Sequence, residues 1–150
     1  MTDVYLEDLQ PGQSFTTTTY KVSAEDVKAF ARQFDPQPFH LDEAAAADTF
    51  FGGLAASGWH TAAITMRLLV GSETRPALGF IGAGVEQLAW PKPVRPGDEL
   101  RVHWEILETR PSRSRPTQGL ARARITTVDQ DNAPVQTMIV SMVVPRRAGT

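Results

Sequence analysis

The sequence predicts an α+β fold, an antiparallel sheet curled around a buried central helix. Two observations carry that reading. Residues Gly58 to Val70, GWHTAAITMRLLV, are apolar on nearly every face, the pattern of a helix enclosed by the rest of its protein. After them the chain changes character: Phe80 to Trp90, Glu99 to Thr109, Gly119 to Asp129 and Val135 to Val144 all read as strands. A buried helix followed by strands of this kind implies a sheet wrapped on the helix.

The elements follow in order. LQPGQSF reads as a turn, and Ser14 to Tyr20 is threonine-rich and β-favouring. Ser23-Ala24-Glu25-Asp26 opens a helix, because Ser23 is a good N-cap and the two acids sit where the helix dipole favours them. Val27, Phe30, Ala31 and Phe34 continue it at helical spacing, and Pro36 ends it. Asp42 caps a short second helix, Glu43 to Asp48, and FFGGLAASG is a glycine-punctuated loop. In ELRVHWEI, Leu100, Val102, Trp104 and Ile106 alternate with polar residues, as in a half-buried strand. VQTMIVSMVV is apolar on both faces, so it is central or covered on both sides. DQDNAP and RPGD supply turn chemistry. With no internal repeat, residues 1–150 read as one domain.

Bulk properties exclude several functions. The chain has no cysteine, which rules out disulfides, thiolate catalysis and cysteine-ligated zinc and fits a reducing compartment. Its net charge of −2 gives no electrostatic case for nucleic acid. The N-terminus lacks an apolar core of signal-peptide length, and the apolar-rich stretch Ala62 to Val70 is too short to span a membrane. A cytoplasmic protein is expected.

Chemistry concentrates in FDPQPFHLD. Asp35 and His40 flank a bracket of two prolines, whose fixed φ and missing N–H make the segment stiff. Stiffness matters when two side chains must hold one water, and a carboxylate beside an imidazole can share that water's protons near working pH. The spacing alone also fits a turn cap at Asp35 and a packed His40. In FFGGLAASGWH, Gly58 starts the buried helix, whose free N–H groups favour negative charge and suit the oxygen of a carbonyl becoming enolate-like. A side chain at Gly58 is expected to crowd a thioester brought against the chain. A helix cap at Ser57 with a flexible entry loop is the simpler alternative. An acid/base pair together with an oxyanion site is what adding water to an α,β-unsaturated thioester requires.

FDPQPFHLDEAAA, FFGGLAASGWHTAA and WPKPVRPGDEL resemble the MaoC-like dehydratases, which include the (R)-specific enoyl-CoA hydratases of the hotdog fold. The D-x4-H spacing is the specific part, whereas the P-V-x-x-G-D-x-L turn is shared by many hotdog proteins. The resemblance implies that Asp35 and His40 activate water and that the Gly58 N–H holds the thioester oxygen. It further implies a homodimer whose sheets join edge to edge, with acyl-CoA bound near the subunit interface. Phe39, Ser57, Trp59 and His60 are the expected substrate-binding neighbours, with His60 also readable as a packed core residue. Two departures stand out: the family often has His-Gly where this chain has Ser57-Gly58, and its serine near the catalytic aspartate matches Ala63 here.

The expected activity is therefore an acyl-CoA hydratase/dehydratase, with (R)-3-hydroxyacyl-CoA as the hydrated form. No His, Asp and Glu spacing suggests a metal site, and no cofactor is expected, since CoA enters as part of the substrate. Rival readings are an acyl-CoA thioesterase and a non-catalytic acyl-CoA-binding module, because fold does not fix reaction. His103 is expected to be exposed, and RPGD to be a surface turn. Arg110, Arg113 and Arg115, in one hairpin loop, suit either CoA phosphates or plain solvation.

Overall fold

In the computed structural model, which describes residues 2–149, the first half of the chain is short pieces and the second half is long strands. In chain order these are β1 (Thr2–Val4), a 3-10 turn (Leu6–Asp8), β2 (Ser14–Thr16), β3 (Tyr20–Lys21), α1 (Ala24–Phe34), α2 (Pro38–Leu41), α3 (Glu43–Ala47), α4 (Gly58–Val70), β4 (Thr74–Pro76), β5 (Ile81–Ala89), β6 (Glu99–Pro111), β7 (Gln118–Val128) and β8 (Pro134–Pro145). The main sheet runs β2-β6-β7-β8-β5, with β3 also on β6, and all its pairings are antiparallel. α4 packs on β6 and β8, so the sheet curls around it. Leu100, Val102, Trp104 and Ile106 of β6 are buried with Ala121, Ala123 and Ile125 of β7 beneath Ile64, Leu68 and Leu69 of α4. This is the hotdog arrangement, and the alternation in ELRVHWEI decided which face of β6 turns inward.

Three expectations are refined and one is kept. Ser14 to Tyr20 gives two short strands, both paired with β6, and between them Thr17 Oγ1 accepts from the Val102 N–H at 3.0 Å. The proline bracket does more than stiffen the segment: Pro38 opens a helical turn, where a missing N–H costs nothing. β8 lies between β7 and β5, as its two apolar faces require. Finally, α4 is covered on one side only. His60, Thr61, Ile64, Thr65, Leu68 and Leu69 are buried, while Met66 and Val70 are exposed, as are Ile81 and Val85 on edge strand β5. A parallel pair, β1 with β4, ties the N-terminus to the chain beyond α4, and no periodicity in so short a segment announces it.

Candidate active site

α1 begins as its sequence demands, with the Ser23 hydroxyl accepting from the Asp26 N–H at 3.1 Å, and it ends at Asp35, whose N–H still donates to Ala31 O at 2.9 Å. Pro36 forbids another turn. Two residues later the α2 turn carries His40 back beneath the end of α1 and buries it, 4% exposed. A reciprocal clamp holds this turn against the loop before α4: the Ala55 N–H donates to Phe39 O at 3.0 Å, and His40 Nδ1 meets Ala55 O at 2.6 Å. A carbonyl oxygen only accepts, so Nδ1 carries a proton and donates it. The other nitrogen, Nε2, then faces Asp35 Oδ2 at 3.3 Å. Burial pushes the Asp35 carboxyl up, but hydrogen bonds from the Gln37 and Ser57 side chains, with the His40 ring beside it, outweigh it and hold the group below the usual carboxylate range. Asp35 is therefore ionised at neutral pH.

α4 begins over this pair. Ser57, fully buried, caps it by accepting from the Trp59 N–H at 3.2 Å. The Gly58 N–H, the first of the helix, has no protein acceptor among the described residues. The absence of a side chain at Gly58 has a cause that sequence reasoning missed. A Cβ there would lie 2.6, 2.7 and 2.9 Å from three carbons of the Trp90 indole, so the atom it would crowd first is the tryptophan rather than a thioester.

His40 and Gly58 open onto a cleft of about 490 Å³, whose lining also includes Phe51, Thr61, Trp90 and Arg95. One wall is the segment Trp90 to Arg95, fastened at four points. Trp90 Nε1 donates to Gln136 Oε1 at 2.9 Å, Lys92 Nζ pairs with the buried Asp129 at 2.5 Å, and Val94 O accepts from the Ala56 N–H at 2.9 Å. Arg95 donates to Gly53 O at 2.9 Å and Leu54 O at 3.3 Å, and also to Phe51 O. RPGD is therefore not a plain surface turn: its arginine staples the glycine-rich loop in place.

The other expected residues distribute as follows. Asp35, His40, Ser57 and Gly58 come together. Phe39 stands edge-on to the His40 ring at 4.6 Å, supporting it from behind. Trp59 is exposed and packs on Trp90, with ring centres 5.1 Å apart. His60 points away from the cleft and stacks on Phe30, 4.8 Å between centres, with Nδ1 unpartnered and burial pulling its pKa down. Ala63 lies on the exposed side of α4, and the hydroxyl that reaches Asp35 is that of Ser57. His103 is half-buried against Thr16, at 2.9 Å. The arginine hairpin joins the ends of β6 and β7 that lie farthest from Asp129, about 30 Å away at 3.3 Å per residue, so within one chain it does not reach the cleft. Trp90, Lys92 and Arg95 were legible only as the string WPKPVR, and Thr61 only as a polar residue on an apolar helix.

Among the described residues no helix is long and apolar enough to cross a membrane, and no three His, Asp or Glu side chains group as metal ligands. A hotdog sheet around its helix, with a carboxylate–imidazole pair beside an unspent helix N–H, defines the class of hotdog hydratases and dehydratases. The chain belongs to the MaoC-like domain family, whose model matches residues 8–129. It is similar to the crystal structure of a MaoC-like dehydratase from Rhodospirillum rubrum, at 53% identity and a TM-score of 0.92 over 96% of this chain and 98% of that one. It is 35% identical to the uncharacterized protein YdeM of Bacillus subtilis, over 94% of this chain and 99% of YdeM. It is 34% identical to a 3-hydroxybutyryl-CoA dehydratase of Methylorubrum extorquens, over 75% of this chain and 69% of that protein.

Proposed function

We propose that this protein hydrates enoyl-CoA thioesters, or dehydrates the corresponding 3-hydroxyacyl-CoA, at the pair Asp35–His40. The observation that carries the reading is the fixed tautomer. With Nδ1 spent on Ala55 O, only His40 Nε2 can exchange a proton, and it faces an ionised Asp35. Two acceptors facing each other at 3.3 Å call for a proton between them or a water donating to both. In hydration, Asp35 takes a proton from water as its oxygen bonds to the β-carbon. Asp35 passes that proton across to the free His40 Nε2, which delivers it to the α-carbon, so that both groups end as they began. The electron pair displaced from the double bond moves onto the thioester oxygen, which accepts from the Gly58 N–H until the α-carbon is protonated. Water loses one O–H bond, and the substrate gains one C–O and one C–H bond. The resemblance to (R)-specific hydratases supports the (R) product, and the dehydratase named above supports a CoA thioester.

The outward residues of α4 and β5, Met66, Val70, Ile81 and Val85, together with the free edge of β5, support a homodimer joined at that edge. Light scattering at micromolar protein should give twice the 16.4 kDa chain mass, and a monomer mass would contradict it. The activity is tested with crotonyl-CoA. Loss of the enoyl ultraviolet band without free thiol supports hydration, release of free thiol makes the protein a thioesterase, and acyl-CoA binding without turnover makes it a binding module.

A further inference from the structure

Trp90 is the largest side chain lining the cleft, and its position is over-determined. Its ring lies against Gly58 in the space any other residue would fill. Trp59 meets it edge-on, with centres 5.1 Å apart. Its indole N–H donates to Gln136 Oε1 at 2.9 Å, and Gln136 is fully buried, far from the proton-transfer pair in sequence and absent from the cleft lining. The amide of Gln136 cannot turn over, because its Nε2 donates to Thr65 Oγ1 at 3.3 Å, and that hydroxyl is in turn bonded to Thr127 Oγ1 at 2.6 Å. Thr65, Thr127 and Gln136 are all inaccessible to solvent. A ring that swung aside would leave a buried carbonyl oxygen without a donor. Such a polar chain, fully satisfied inside an apolar core, specifies one arrangement.

We infer that Trp90 sets the length of acyl chain the cleft accepts, and that Gln136 is the positioning residue that makes this limit sharp. The inference rests on the acyl-thioester reading above. A thioester held at the Gly58 N–H has the indole, which lies against Gly58, beside one of its two arms, and the inference assigns that arm to the acyl chain. Removing the ring opens the cleft at that point, whereas removing its hydrogen-bond acceptor leaves the ring in place but free to move. The first change should shift the preferred length and the second should blur it.

The test is the affinity of the full-length protein for saturated acyl-CoAs from butyryl to decanoyl, read by calorimetry, alongside turnover of the matching enoyl-CoAs. Saturated chains bind without reacting, so the length profile does not depend on catalysis. The parent should favour the short end. Trp90→Ala should raise the decanoyl-to-butyryl affinity ratio at least tenfold. Gln136→Met, of similar volume but unable to accept from the indole, should flatten the profile, and Gln136→Glu, which keeps an acceptor, should restore most of it. A general structural role for Gln136 would lower the affinity for every length equally. An unchanged ratio in a folded Trp90→Ala protein overturns the inference, as does a parent profile that already rises to decanoyl. If the ratio shifts as expected but no enoyl-CoA is hydrated, the length assignment stands and the hydratase reading falls. If the parent binds no acyl-CoA at all, both fall.

Discussion

Gly58→Ala is the sharpest single probe of the site, because its effect can be worked from distances. The added Cβ would lie 2.6 Å from the Trp90 ring, where carbon contacts normally sit at about 3.5–4.0 Å. The ring must retreat by about 1 Å, enough to stretch its 2.9 Å bond to Gln136 past the usual range. Overpacking typically costs about 1–3 kcal/mol and a lost hydrogen bond about 0.5–1.5 kcal/mol. At about 2–4 °C per kcal/mol for a chain of this size, the melting temperature should fall by roughly 3–18 °C. Turnover should fall as well, by part of the roughly 2.7–4 kcal/mol that losing an oxyanion donor costs. Thermal melts and crotonyl-CoA kinetics on Gly58→Ala, Trp90→Leu and the double variant separate the causes. If Trp90 is the clash, Gly58→Ala costs less stability in the Trp90→Leu background than alone, a coupling that contacting residues show. Strict additivity, or a Gly58→Ala protein that melts like the parent, would refute the steric account. Turnover that stays low once stability has recovered would place the remaining penalty on the thioester.

Other outcomes follow from the same geometry. Asp35→Asn and His40→Ala should each slow hydration at least about a hundredfold while circular dichroism stays unchanged, and near-parental rates in either would remove that residue from the mechanism. Arg95→Met strips donors from the Phe51, Gly53 and Leu54 carbonyls. It should cost about 1–3 kcal/mol in denaturant melts and raise KM more than it lowers kcat, because the loop it staples lines the cleft. His60 titrates below its ordinary value near 6.5 because it is buried. Between its folded value and 6.5 the unfolded chain binds more protons, so stability is present above that window and declines as pH falls through it. His60→Phe keeps a ring on Phe30 and should lose less melting temperature than the parent between pH 7 and pH 5; equal losses would clear His60 of the effect.

α1, α3 and α4 were readable because their ends are written locally, whereas the single turn of α2 was not. Ser23 with Glu25 and Asp26, Asp42, and Ser57-Gly58 each mark a start that the structure keeps. β6 was readable because apolar and polar residues alternate along ELRVHWEI, and β8 because VQTMIVSMVV is apolar on both faces. The site divides along the same line. Asp35 and His40 are five residues apart, and a proline bracket makes their proximity a local fact. The partners of Trp90, Lys92 and Arg95 lie 46, 37 and about 40 residues away, so only the closed sheet reveals them. Their signal in the sequence, WPKPVR beside a turn, is the same whether the arginine dangles in water or closes a loop. The outward face of α4 was invisible for a different reason: an apolar helix reads alike whether its own chain or a second subunit covers it.

The four-point attachment of the segment from Trp90 to Arg95 has a kinetic consequence. Both sides of the cleft belong to one rigid body, since the Ala56 amide on the loop side bonds to Val94 on the other. That amide should exchange with deuterium only as slowly as the sheet itself opens, and binding should not change its protection much. Admission and release then need no hinged lid here. At the mouth stands Phe50, 96% exposed and carried on a turn where Gly52 adopts φ +64°. Its rotamer changes occur in picoseconds to nanoseconds, far faster than a catalytic turnover, so passage through this mouth should be limited by diffusion and desolvation rather than by the opening of the protein.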